Sequence, residues 1–133
     1  MVKTLTETKQ GFKISKKLQE NFLIDEAIES QVIVHFSFKS NSVYNGIRIW
    51  KSTFLIPTET SQTAKLVTVD KVSMYPIYTY TPIGKILNFT LVFTCLPRNC
   101  KTFDLVEQIP EPGGFVFRNI KRNKTDVYNL KID

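Results

Sequence analysis

Apolar and polar residues alternate along most of this chain, in short runs cut by glycine and proline. In QVIVHFSFKS, Val32, Val34, Phe36 and Phe38 fall on one side and Ile33, His35, Ser37 and Lys39 on the other. That is the period-2 pattern of a half-buried strand. ILNFTLVFTC repeats it, with Phe89, Leu91, Phe93 and Cys95 on one face and Asn88, Thr90, Val92 and Thr94 on the other. Between these runs, NSVYNG (41–46) supplies turn residues. GIRIWKSTFLIP then predicts a strand with Ile47 and Ile49 opposed to Arg48 and Trp50, ended by Pro57, which brings no ladder donor.

TETSQTA (58–64) reads as a polar loop, and KLVTVDKVSMYPIYTYTP as one or two strands broken near Pro76 and stopped by Pro82 and Gly84. TFDLVE is a short extended piece, IPEPGG (109–114) a loop, and GFVFRNIKR and DVYNLKI two closing strands. Only residues 16–30, KKLQENFLIDEAIES, carry two patterns. Their composition allows a helix with Leu18 and Phe22 at i,i+4, while Phe22, Ile24 and Ile28 also alternate. A strand after Asn21 is favoured. About seven short strands separated by turns predict an all-β, antiparallel β-sandwich, with a small β-barrel as the alternative. Residues 1–133 fit one domain, in which the polar stretch 1–20 is expected to be a loosely ordered leading segment.

Composition changes this picture little. The chain is 42% apolar and 23% charged, ordinary for a globular protein, with ten Phe, five Tyr and one Trp. A net charge of +6 permits an acidic partner, but the basic residues form no single block. Lys9, Lys13, Lys16 and Lys17 lie near the start, and Arg118, Lys121, Arg122 and Lys124 form a candidate basic surface near the end. No run of about 20 apolar residues is present to span a bilayer as a helix. MVKTLTETKQGFKISKK has no apolar signal-peptide core. As written the chain is expected in the cytoplasm, or in the envelope or secreted if a leader has been removed.

The stretch from Ile86 to Gln108 also carries a resemblance. Phe89, Leu91, Phe93, Leu96 and Pro97, then Phe103, Asp104, Leu105, Val106 and Glu107, follow a strand–polar turn–strand pattern. It resembles the immunoglobulin-like β-sandwich domains of bacterial envelope and secreted proteins. VIVHFSF and IRIWKSTFLI are similar to earlier strands of the same domains. The resemblance implies the sandwich fold and no activity, since such domains commonly accompany other modules.

The candidate chemistry is sparse. Cys95 and Cys100 are the only cysteines, spaced C-x₄-C, and His35 is the only histidine. Three such ligands fall short of the four of a structural zinc site, and the redox C-x-x-C is absent. The pair is either a short-loop disulfide or, for Cys95, a small buried residue continuing the Phe93 face. Asp104 and Glu107 are expected to anchor loops through backbone N–H groups or to pair with Arg98 or Arg118. No nucleophile elbow, P-loop or paired-acid motif is found, so no enzyme, cofactor or metal is expected. The aromatics Trp50, Tyr75, Tyr78 and Tyr80 remain as candidate ligand-binding residues, with Tyr78 and Tyr80 on one strand face. The expected function is a non-catalytic module that binds another protein. The alternative is a glycan- or nucleic-acid-binding module built on these rings and the basic residues.

Overall fold

The computed structural model describes residues 30–40 and 46–132. The leading polar segment, the strand expected after Asn21 and most of the NSVYNG turn lie outside the described residues. Within them the protein is all-β. The strands are β1 (Val32–Lys39), β2 (Gly46–Ile47), β3 (Thr53–Pro57), β4 (Ala64–Asp70), β5 (Thr79–Tyr80), β6 (Ile86–Phe93), β7 (Thr102–Glu107), β8 (Val116–Lys121) and β9 (Val127–Ile132). No helix among the described residues is long and apolar enough to cross a membrane.

Seven strands form one sheet in the order β8-β7-β3-β4-β6-β1-β9, and β2 and β5 form a small second sheet. The sheet is curled into a half-barrel. The bend falls on β4, which holds β3 only through Lys65 and Ala64 and then passes to β6 across a register shift between Leu66 and Thr68. An irregularity of this kind lets a strand turn from one partner to the next. Curling brings the two ends of the sheet into contact. The Phe36 ring of β1 meets Phe117 of β8 at 5.8 Å, and Phe103 of β7 meets Tyr128 of β9 at 5.1 Å, both edge to face.

The core follows from the alternation. Val32, Val34, Phe36 and Phe38 are buried and pair across to Phe93, Leu91, Phe89 and Leu87 of β6. Phe36 and Phe89 stack at 5.0 Å. Burying each such side chain is worth about 1.5–3 kcal/mol, which fixes the register, since a one-residue slip would turn the whole set to solvent. Leu55, Leu66, Leu91, Leu96, Phe103 and Leu105 complete the interior.

Three expectations need correction. The sheet is mixed, because β9 runs parallel to β1 from Ile33↔Val127 to Phe38↔Ile132 while the other ladders are antiparallel. Among the described residues a closed barrel is not formed, since no ladder joins β8 to β9. The predicted strand over 46–57 is two strands separated by a turn, because the Trp50 N–H is taken by the Glu107 side chain and Thr53 Oγ1 bonds back to the Trp50 carbonyl.

Strand direction sorts the connections into two ends. Residues 71–85, residues 108–115 and the β2–β5 sheet lie at one end; residues 58–63, 94–101 and 122–126 lie at the other.

Candidate functional site

The β2–β5 end gathers all four candidate aromatics. Gly46↔Tyr80 and Ile47↔Thr79 pair antiparallel, and Ile49 bridges Met74 in parallel. Backbone bonds from Ile49 N to Ser73 O and from Tyr75 N to Ile49 O hold the two segments together. Ile47 and Ile49 point into the core, so Arg48 and Trp50 face the Tyr75–Tyr80 segment. Trp50 and Tyr75 lie tilted at 31° with centroids 3.8 Å apart, and Tyr78 and Tyr80 lie 5.7 Å apart.

Arg48, which sequence reasoning placed on the Trp50 face without marking it as functional, is the centre of this cluster. Its guanidinium lies 4.2 Å from the Tyr78 ring, 4.6 Å from Tyr75 and 5.7 Å from Trp50. All three are within range for cation–π attraction. Nη1 donates to the Pro76 carbonyl at 3.2 Å, and Nη2 stands 3.8 Å from Glu111. Gly46 makes room for the tyrosines. A Cβ there would sit 2.7 Å from Tyr80 Cε1 and 3.0 Å from Tyr78 Cδ1.

Beneath the rings is a cleft of about 240 Å³ lined by Arg48, Trp50, Tyr78, Glu111, Phe38 and Phe115, among others. Its floor is fixed by Glu107. This buried carboxylate accepts the Trp50 N–H at 3.0 Å and the Phe115 N–H at 3.4 Å, tying the turn before β3 to the loop before β8. Burial pushes its pKa above the usual carboxylate value, against the lowering effect of those two bonds and of Arg48.

Apolar side chains are also unusually exposed at this end. Among the described residues eight large hydrophobics are exposed, and Tyr75, Ile77, Tyr78, Tyr80, Ile83 and Ile86 are six of them. One stretch of a dozen residues therefore holds most of the exposed apolar surface.

The other candidates separate from this cluster. Arg122 is not a surface cation. Its Nε and Nη2 bond Asp126 at 2.8 and 2.9 Å, and its Nη1 bonds the carbonyls of Pro97 at 2.6 Å and Cys100 at 3.3 Å. Asp126 also accepts the Tyr128 hydroxyl at 2.9 Å. Arg118 is paired with Asp104 at 3.1 Å, and Asp104 accepts the Asn119 N–H at 2.8 Å, where the backbone has φ 58°. Lys121 and Lys124 are exposed, at the end of the half-barrel away from the rings.

Cys95 and Cys100 are not bridged. β6 ends at Phe93, and the inward slots beyond it go to Leu96 and Cys100, while Cys95 is only half-buried. The Cys100 thiol donates to Thr102 O at 3.4 Å, and burial raises its pKa, which disfavours the reactive thiolate. His35 is exposed on the outer sheet face with Nδ1 2.7 Å from Thr90 Oγ1, beside an open groove of about 730 Å³. Among the described residues no group of three or more His, Cys, Asp or Glu is placed to hold a metal ion.

Comparison with protein-family models, with curated proteins and with solved structures gives no match for this chain.

Proposed function

We propose that this protein is a non-catalytic binding module that docks another protein on the β2–β5 end of its half-barrel. One observation carries the reading: the exposed apolar residues concentrate between Tyr75 and Ile86, beside Arg48 and Trp50. Contiguous exposed apolar surface marks interaction sites, and Trp, Tyr and Arg are the residue types that most often dominate binding energy, at about 2 kcal/mol or more each. The rings are braced by Arg48 and by the Gly46 backbone, so little freedom is lost on binding. The immunoglobulin-like reading of the fold belongs to the same proposal. It is supported by the resemblance between Phe89 and Glu107 and by the burial of Phe89, Leu91, Phe93, Leu96, Phe103 and Leu105.

A photo-crosslinking residue in place of Tyr80, compared with one in place of Lys124, tests the docking face in cells that make the protein. A discrete adduct of one reproducible partner at Tyr80 and none at Lys124 is expected. Equal labelling at both positions, or none at Tyr80, refutes it.

The glycan alternative has one observation in its favour, the neighbouring exposed rings of Tyr78 and Tyr80. It predicts a change in Trp50 fluorescence with a sugar, and a flat titration across a glycan panel removes it. The nucleic-acid version has less support, because Lys121 and Lys124 lie at the end away from the rings and Arg122 is committed to Asp126. Retention on heparin that does not change with salt would count against it.

A further inference from the structure

We infer that Arg48 is a carboxylate anchor, and that the partner segment docking at this end presents an acidic side chain to it in place of Glu111. The inference rests on the docking reading above and names the chemistry that the docked segment must carry.

The geometry of Arg48 supports this. Its side chain is only 16% exposed, held between the faces of Tyr75 and Tyr78, with Trp50 beyond. Stacking on aromatic faces uses the plane of the guanidinium and leaves its edge for planar, two-pronged recognition of a carboxylate. Among the described residues that edge is poorly used. Nη1 has one backbone carbonyl at 3.2 Å, and Nη2 has Glu111 at 3.8 Å, beyond hydrogen-bonding distance. Glu111 is 49% exposed, in the loop sequence Ile-Pro-Glu-Pro-Gly-Gly. The resting partner of Arg48 is therefore a loosely held, solvated carboxylate, whose displacement sacrifices little.

The adjoining cleft fits the same occupant. At about 240 Å³ it falls below the ~300–1,000 Å³ typical of small-molecule sites and is suited to a single inserted side chain. Its walls combine apolar Phe38, Ile47, Trp50 and Phe115 with the Arg48 charge and two carboxylates, Glu107, which is spent on the Trp50 and Phe115 N–H groups, and Glu111, the group the incoming acid replaces. The exposed Ile77, Tyr78 and Tyr80 beside it supply apolar surface for the residues flanking the acidic one. A protein of net charge +6 adds long-range attraction for an acidic segment.

Trp50 is the only tryptophan and packs within the cluster, so its emission reports on the site. The probes are two blocked peptides, acetyl-Ile-Pro-Glu-Pro-Gly-amide, which copies the resident loop, and the same peptide with Gln for Glu. The Glu peptide is expected to change Trp50 emission saturably, and the Gln peptide at least tenfold more weakly. Glu111→Gln, an exposed change that leaves the core intact, is expected to tighten the Glu peptide severalfold by removing the internal competitor. Arg48→Lys is expected to weaken it, because charge remains while the planar fork is lost. Equal responses to the two peptides, or an unchanged or weaker affinity in Glu111→Gln, overturns the anchor. A Tyr80 crosslink that persists in Arg48→Gln alongside such a result would remove the anchor and leave the docking face standing. Loss of the crosslink alone, with the peptide responses intact, would do the reverse.

Discussion

Each end of the half-barrel is organised around one arginine, and the two are held in opposite ways. Arg122 has an aspartate at 2.8 and 2.9 Å and two backbone carbonyls, and its aspartate is in turn bonded by Tyr128. The Asp126 carbonyl also accepts the Ile33 N–H, which ties this lock to the start of β1. Among the described residues Arg48 has one carbonyl, one carboxylate at 3.8 Å, and three aromatic faces. An arginine whose donors are spent on short internal bonds is part of the scaffold. One held by its faces, with a loosely paired edge, retains its capacity for a ligand.

The largest difference should appear in stability. Arg122→Met leaves Asp126 without its cation in a mostly buried setting and frees the Pro97 and Cys100 carbonyls. Breaking such a pair typically costs about 3–5 kcal/mol, visible as a lower urea midpoint with an unchanged slope. Arg48→Met gives up a pair with a half-exposed carboxylate and cation–π contacts worth about 0.5–2 kcal/mol, so it should cost about 2 kcal/mol or less. Similar losses in the two variants would break the comparison.

The second difference is in alkaline pH dependence. Burial, with Asp126 nearby, pushes the Tyr128 hydroxyl up to about 12 from 10.0. A group raised on folding contributes stability that is fully present below its unfolded value and lost as pH rises through its folded one. Stability should therefore fall between pH 10 and 12, and Tyr128→Phe should flatten that limb in urea titrations. A limb unchanged by Tyr128→Phe would place the alkaline loss elsewhere.

At the other end the same sign applies in acid. The folded Glu107 carboxyl is raised above 4.5 by burial. Its contribution is present below the unfolded value and declines as pH rises through the folded one. Glu107→Gln should remove this decline while costing about 1 kcal/mol, because an amide has one acceptor for the two backbone donors of Trp50 and Phe115. The smallest effect is at Gly46. Alanine there must displace the Tyr78 and Tyr80 rings, which are exposed side-chain atoms rather than backbone, so stability should change by less than ~1 kcal/mol. Peptide affinity at Arg48 should fall because Tyr78 moves; an unchanged affinity would mean that ring does not brace the site.

The two ends also differed in how far the sequence reveals them. Alternation located β1 and β6 and their inward faces, because a strand buried on one side writes its period directly into the chain. The i,i+2 spacing of Tyr78 and Tyr80 likewise announced a shared face. What joins them to Trp50 and Arg48 is the Ile49–Met74 bridge and the bond from Trp50 to Glu107, a contact 57 residues away in sequence. Local pattern carries no trace of such pairing, and the same long-range bond hid the break between β2 and β3. The parallel entry of β9 beside β1 is a matter of chain path, which strand period does not encode. Arg122 counted as surface charge for a related reason. Composition sees a basic residue and cannot see that Asp126, at a φ of 53°, turns its carboxylate back onto it. Cys95 was assigned to the core by extending the β6 alternation two residues beyond the point where the strand ends.

The most direct test sets the two arginines against each other in one experiment, measuring urea stability and Trp50 response to the Glu peptide for Arg48→Gln and Arg122→Gln. The account predicts a crossed result. Arg48→Gln keeps stability within about 2 kcal/mol of the parent and loses the peptide response, whereas Arg122→Gln is severely destabilised but, where folded, still responds to the peptide. Severe destabilisation by Arg48→Gln, with peptide binding preserved in the folded fraction, would show that the aromatic end is a second structural lock and contradict the account.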